Sequence, residues 1–296
     1  MTSDTPPIVL TFGIFDPTGA SGIQADLLTL ASMGCHGVSV LTGYATRDSV
    51  DHGEITAVDP DRVATQARML LEDMPVAAFK IGATVRAEIV SVIAEVVADY
   101  DDLPLIVCPD FTLDEEHVLA GDDLRDAIAE LLAPQTSLMV ADRAMITQLM
   151  QSDGESENDG EPVTQESVIA QLTDSGCEYL LLTENTAGRY INTLYNEEGE
   201  IRQDVFAREA HSILGIGDTL ASAIAALLAS GYEPPDAVRE AQNYVYQAIR
   251  ASFRPGMGAH IPNRMFWSRG DGAPGIRPVS GMLADINPPM RQHIRH

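Results

Sequence analysis

Short apolar runs and longer stretches of helical period follow one another along most of the chain. Ile8 to Phe12 is apolar with β-branched residues, so it reads as a strand. It leads at once into the glycine-rich loop Gly13-Ile14-Phe15-Asp16-Pro17-Thr18-Gly19-Ala20-Ser21-Gly22. From there Ile23, Leu27, Leu30 and Ala31 recur at helical spacing, and Gly34 ends the helix. Val38 to Thr42 supplies the next strand. Further helices are expected over Asp59–Leu71, Val85–Val97, Asp122–Leu132, Ala144–Met150 and Gln165–Leu172. Strands are expected over Ala77–Ile81, Leu105–Cys108, Ser137–Val140 and Tyr179–Thr183. Such βα alternation predicts an α/β fold with a mostly parallel sheet covered on both faces, and ligands bind beyond the carboxyl ends of its strands. Arg189–Tyr195 and Glu200–Phe206 read as a hairpin around Asn196-Glu197-Glu198-Gly199, adding antiparallel strands.

The stretch Gly215-Ile216-Gly217-Asp218-Thr219-Leu220 opens a helix from Thr219 to Ser230 that is apolar on nearly every face and therefore expected to be buried. Two glycines permit a tight turn, and the unpaired N–H groups of a helix start attract anions. The stretch is thus either a phosphoryl-transfer site or a helix entry capped by Asp218 or Thr219. Pro234 and Pro235 start the next helix, Asp236–Ser252. The acidic stretch from Ser152 to Pro162 lacks the ligand spacing of a calcium loop and reads as a surface loop, and beyond Trp267 the Gly-, Pro- and Arg-rich sequence has no period. The expected division is a domain over 1–267 and a tail over 268–296, an arm or disordered.

At 296 residues, 45% of them hydrophobic, the chain can bury a substantial core. Its 44 acidic and 18 basic residues leave a net charge of −26, so its field repels nucleic acid and anionic membrane. Lys80 is the only lysine, and an acidic, lysine-poor composition fits a protein that works in high salt. Cys35, Cys108 and Cys177 are odd in number and widely spaced, as free thiols are in a reducing compartment. With no signal sequence and no apolar run of ~18 residues, the protein is read as soluble and cytoplasmic.

The loop from Gly13 to Gly22, continued by Ile23-Gln24-Ala25-Asp26, resembles the N-terminal signature of the hydroxymethylpyrimidine and phosphomethylpyrimidine kinases of thiamine biosynthesis. Lys80-Ile81-Gly82, Gly215 to Leu220 and Gly256-Met257-Gly258 follow in that family's order, and the resemblance spans residues 8 to about 267. It implies a ribokinase-like three-layer fold, a homodimer, and transfer of the γ-phosphoryl of Mg2+-bound ATP to a pyrimidine hydroxymethyl group and then to the resulting monophosphate. It also implies roles for residues. Asp218 is the base, and Gly215, Ile216, Gly217 and Thr219 form the anion hole. Gly13, Ser21, Asp26, Arg47 and Asp110 hold the substrate, and Asp142 and Thr183 lie near the nucleotide. No metal ligand is assigned.

Several positions depart from the family pattern. Asp218 stands where pyrimidine kinases usually carry cysteine and sugar or pyridoxal kinases carry aspartate. Arg47 replaces a glutamine that reads the pyrimidine; arginine donates but cannot accept, so it either prefers a more acidic ligand or pairs with Asp48 or Asp26. Cys108 replaces a strand-end aspartate, with Asp110 two places later. Asp142 and Met145 replace Asn-x-x-Glu, and Thr183-Glu184-Asn185 replaces Lys-Gly-Gly, which weakens nucleotide binding unless an arginine compensates. Lys80 is either a phosphate contact or a paired structural lysine, His211 reads as a surface residue and His260 has no assigned role. The rival readings are a pyridoxal-type kinase and a non-catalytic ligand-binding relative.

The charge balance carries its own prediction: added KCl raises the urea unfolding midpoint by screening self-repulsion. A midpoint that stays level or falls with KCl contradicts this.

Overall fold

Strand β1 (Ile8–Phe15) is buried at every position except its last, as befits a strand with helices over both faces. In the computed structural model, which describes residues 5–110, 122–149, 165–186 and 188–269, β1 runs parallel to β2 (His36–Arg47) on one side and β4 (Val76–Ile81) on the other. Parallel pairing continues through β5 (Leu105–Val107), β6 (Leu138–Asp142) and β7 (Tyr179–Thr186). Antiparallel strands close both edges: β3 (His52–Ala57) on β2, and the hairpin β8 (Arg189–Asn196) and β9 (Gly199–Ala207) on β7. The order across the nine strands is β3-β2-β1-β4-β5-β6-β7-β8-β9.

Helices cover the sheet in two layers. On one face α1 (Gly22–Ser32), α7 (Ile216–Ala229) and α8 (Pro234–Arg250) pack side by side. On the other, α2 (Pro60–Asp73), α3 (Ala87–Val97), α4 (Asp122–Ala127), α5 (Arg143–Leu149) and α6 (Gln165–Asp174) form a continuous row. Side chains alternate across the strands. Ile8, Leu10 and Phe12 of β1 and Phe79 and Ile81 of β4 therefore enter the core beneath α2 and α3. The same alternation turns Thr11 and Lys80, which are directly paired across β1 and β4, toward α1 and α7. Two polar side chains are thus committed to that interior, and both are fully buried.

Most elements lie within a few residues of their expected bounds, and the differences have local causes. β2 runs five residues beyond Thr42 because it forms a hairpin with β3, a strand not expected from sequence. Asp48 shapes the turn by accepting hydrogen bonds from the N–H groups of Val50 (2.7 Å) and Asp51 (2.8 Å). Helix α3 starts at Ala87 rather than Val85, since Val85 adopts φ +68°, a left-handed conformation that no helix continues through. The expected Asp122–Leu132 helix is present, but its last five residues, from Ile128, widen into π turns. Asp59 caps α2 through hydrogen bonds from Asp61 and Arg62 N–H, with Pro60 at the first helical position. Helix α7 is buried without interruption from Thr219 to Leu227. The chain divides into two compact units, Met1–Arg264 and Met265–His296, and the described part of the second holds a short turn, Phe266–Arg269. The acidic stretch 152–162 and the tail from residue 270 lie outside the described residues.

Gly215 caps α7 with φ +75°, and a Cβ there would sit 1.7 Å from the Ala20 carbonyl oxygen. Gly215→Ala is therefore expected to cost about 1–3 kcal/mol in backbone strain alone, with the clash in addition. A urea midpoint equal to that of the parent protein contradicts this reading.

Candidate active site

The buried polar side chains beneath α7 form one connected group. Lys80 Nζ lies 2.6 Å from Asp218 Oδ1 and 2.9 Å from Asp26 Oδ1. Lys80 and Asp26 have no exposed side-chain surface, whereas Asp218 keeps 16%. Asp26 also accepts from Thr11 Oγ1 (2.5 Å) and Ser222 Oγ (2.7 Å), so β1, β4, α1 and α7 all meet on it. The second Asp218 oxygen, Oδ2, accepts from the Gly22 N–H at 2.8 Å. Space for the ammonium comes from Gly82, where a Cβ would lie 2.8 Å from Lys80 Nζ.

The two carboxylates respond oppositely to this setting. Burial opposes ionisation of Asp218, but the Lys80 ammonium and the Gly22 N–H outweigh it and hold Asp218 below the usual carboxylate range. Burial dominates at Asp26; with the added repulsion of Asp218 it overcomes Lys80 and raises the proton affinity of Asp26. Burial would neutralise Lys80, yet the two acids raise its pKa above that of a free lysine. Burial and the Asp218 charge push the Cys108 thiol up, so it stays neutral beside them.

The first glycine-rich loop is folded by Asp16. Its Oδ1 accepts from Thr18 N–H (2.9 Å) and Oγ1 (2.7 Å), and its Oδ2 from Ser21 N–H (2.9 Å) and Oγ (2.8 Å). These bonds, helped by Arg47, overcome the burial that opposes its ionisation and keep Asp16 below the usual carboxylate range. A Cβ on Gly22, which has φ +63°, would lie 2.3 Å from the Ile14 carbonyl oxygen, so only glycine brings this N–H onto Asp218. Arg264, 3% exposed, ties the loop to α7: its guanidinium donates to Gly19 O (3.0 Å), Ala20 O (2.5 Å) and Thr219 Oγ1 (3.1 Å). Thr219 in turn donates both its N–H (3.1 Å) and its hydroxyl (2.6 Å) to Gly215 O. Those donors are thereby committed, which leaves the first-turn amides of Ile216, Gly217 and Asp218 as the helix donors without an intrahelical partner.

On the far side of this helix start is a cavity lined by Ile216 and Gly217, Cys108, Asp142, Thr183 and Glu184, with Tyr190, Tyr246 and Ile249 among its apolar walls. Asp142 Oδ1 accepts from the Met145 N–H (2.8 Å), so it caps α5. Glu184, the acid gained in this segment, is paired with Arg143 at 2.5 Å. Among the described residues no group of three or more His, Cys, Asp or Glu side chains could hold a metal ion.

The expected site residues thus fall into two sets. Asp142, Thr183, Ile216 and Gly217 share the cavity. Gly13, Ser21, Asp26 and Arg47 gather around the glycine-rich loop: a Cβ on Gly13 would lie 3.9 Å from Asp26 Oδ2, and Arg47 Nη1 is 3.5 Å from Ser21 Oγ and 3.6 Å from Asp16 Oδ2. Arg47 Nε and Nη2 are buried without a hydrogen-bond partner. Asp110 follows β5, and its charge is felt at Cys108. Lys80 is the paired lysine of the two alternatives. His211 stacks on His260 with ring centroids 3.9 Å apart and shares a hydrogen bond with Ser252 Oγ (3.0 Å). Asp16, Thr11, Ser222 and Arg264 join the site without having been expected from the sequence. Asp16 had a signal in Asp-Pro-Thr-Gly, a turn sequence whose acid bonds its own backbone; Arg264 had none beyond its apolar surroundings.

The phosphomethylpyrimidine kinase family matches residues 16–263. A hydroxymethylpyrimidine/phosphomethylpyrimidine kinase of Streptomyces coelicolor is 32% identical over 257 residues, 86% of this chain and 93% of that protein. The ADP complex of Bacillus subtilis pyridoxal kinase superposes with a TM-score of 0.76 at 22% identity, covering 90% of this chain and all of that one. A phosphomethylpyrimidine kinase of Clostridium difficile gives 0.64 at 23% identity over 81% of this chain and all of that one. These likenesses establish the ribokinase-like fold.

Arg264→Gln removes the charged link between the two loops and is expected to cost about 2–3 kcal/mol, read as a lower urea midpoint. An unchanged midpoint contradicts the linking role.

Proposed function

The chain belongs to the phosphomethylpyrimidine kinase family, and on that premise we propose that it phosphorylates the hydroxymethyl group of a hydroxymethylpyrimidine with ATP, Asp218 taking the hydroxyl proton. One observation carries the reading. Asp218 follows Gly217, which lines the cavity, and is fixed by the Gly22 N–H of the glycine-rich loop and by the Lys80 ammonium. Held ionised, it is ready to accept a proton at neutral pH. The amides of Ile216, Gly217 and Asp218 face the negative charge that spreads over the transferring phosphoryl oxygens, and positioning plus such donors is most of what phosphoryl transfer asks of a protein.

ATP occupies the cavity in this reading, with Thr183 and Asp142 beside it. Mg2+ needs no protein cage, because phosphates, water and one or two carboxylates hold it; Asp142 and Glu184, which line the cavity, are the carboxylates that would hold it, and the ion would supply charge neutralisation on the phosphates. The enzyme is a homodimer acting in the cytoplasm on a small heterocycle, without nucleic acid or membrane. The net charge of −26 supports the exclusion of polyanions, and the three free, buried cysteines fit a reducing compartment. No helix of the described residues is long and apolar enough to cross a membrane.

Arg47 supports a second reading, a pyridoxal-type acceptor. Its buried Nε and Nη2 can only donate, which suits a heterocycle presenting acceptors better than an aminopyrimidine edge. Asp218 also bears on the second phosphorylation: a fixed carboxylate repels a phosphomonoester brought close to it.

ADP release with Mg2+–ATP against hydroxymethylpyrimidine, its monophosphate and pyridoxal tests these statements together. Hydroxymethylpyrimidine turns over fastest, its monophosphate more slowly, and Asp218→Asn lowers turnover by about 10²–10⁴-fold. Full activity of Asp218→Asn removes it as the base, and equal turnover of alcohol and monophosphate removes the repulsion argument. Faster turnover of pyridoxal moves the assignment to the second reading, and calorimetric binding of the pyrimidine without turnover marks a non-catalytic relative.

A further inference from the structure

A buried lysine that served only to neutralise a carboxylate would need one partner. Lys80 has two, at 2.6 and 2.9 Å, and the trio carries a net negative charge in an interior where Lys80 and Asp26 are fully buried. Taking charges out of water is costly, and a second acid on one ammonium adds repulsion without adding a cation. Asp26 is nevertheless held firmly in place: Thr11 and Ser222 hydroxyls donate to it, and Thr11 is the strand neighbour of Lys80. Gly82 keeps clear the space in which the ammonium sits.

We propose that Lys80 and Asp26 are positioning residues for Asp218: the ammonium aims the carboxylate, and Asp26 keeps that ammonium neutralised when Asp218 takes up the acceptor's proton. The inference rests on Asp218 being the base. In the step concerned, the acceptor O–H bond breaks and its proton passes to Asp218. The acceptor oxygen bonds the γ-phosphorus while the bond from γ-phosphorus to the β-bridging oxygen breaks, and ADP leaves with that electron pair. Without Asp26, protonating Asp218 would strand a bare ammonium in the interior. With it, a neutral Asp26–Lys80 pair remains, and Asp218 returns its proton to solvent after product leaves.

The charged and titratable groups facing Asp218 are Lys80 from β4, Asp26 from α1, Cys108 after β5 and Arg264 after α8. Cys108 stays a neutral thiol, and Arg264 keeps its charge throughout the range in which the enzyme is assayed. The pH response of Asp218 is therefore set by Lys80 and Asp26.

The test is the acid limb of kcat/KM for hydroxymethylpyrimidine with Mg2+–ATP. A base must be ionised, so activity falls as pH drops through its pKa. Lys80→Met leaves two uncompensated acids and moves the limb up by about 1–3 pH units. Adding Asp26→Asn to it restores the original net charge and brings the limb back down. Asp26→Asn alone lowers kcat at least tenfold, with the KM for ATP within twofold of the parent value. A limb at the parent pH in Lys80→Met overturns the proposal, whatever the loss of rate. If Lys80→Met does not fold, Asp26→Asn decides, and a kcat within twofold of the parent value overturns the proposal. Asp218→Asn assayed in parallel separates the failures: if it is active, the base assignment fails; if it is inactive while the limb does not move, only the positioning role fails.

Discussion

One ammonium group, enclosed where solvent does not reach, organises the site. Lys80, the penultimate residue of β4, lies between Phe79 and Ile81, which point the other way into the core, so strand alternation delivers it to the α7 side. There it meets a carboxylate from α1 and another from the first turn of α7. Removing one partner from such a buried group typically costs about 3–5 kcal/mol, so the sheet and both helices are tied to a common point. The orientation of Asp218 follows from it, since Lys80 holds one carboxylate oxygen and the Gly22 N–H the other.

The remaining constraints guard that point. Asp16 folds the first loop so that Gly22 presents its N–H, and Arg264 binds the same loop to Thr219. Thr219 spends its donors on Gly215 O, which stiffens the helix start and leaves earlier amides to face an anion. The nucleotide side is built more loosely. Glu184 is neutralised by Arg143, whose side chain is 60% exposed, and a pair that open to solvent contributes little to stability. That arginine nevertheless answers the charge problem raised by Thr183-Glu184-Asn185: it sits next to Asp142 in sequence and cancels the acid gained there.

Much of this was legible before the structure. The parallel core of the sheet was written in short β-branched runs, the burial of α7 in its uniform apolar character, and the convergence of two glycine-rich loops in their resemblance to a kinase family. β3 escaped notice because His52 to Ala57 contains a single large apolar residue, Ile55, and so has no period to read. The site's interior was less visible than its rim. Thr11 and Ser222 look like ordinary members of a strand and a helix, and only the register of β1 against β4 and the packing of α7 on α1 bring them to Asp26. The sequence offers Asp48 and Asp26 as partners for Arg47, yet its ion pair is with Asp16, a partner that loop folding selects.

Because Lys80 is the only lysine in the chain, labelling with 15N-lysine places a single side-chain ammonium signal in the NMR spectrum. This signal is expected to stay that of a charged, exchange-protected ammonium to the highest pH at which the protein is folded, and Asp26→Asn and Asp218→Asn are each expected to shift it. A signal that titrates near the free-lysine pKa of about 10.4, or that ignores both substitutions, would contradict the central place given to Lys80.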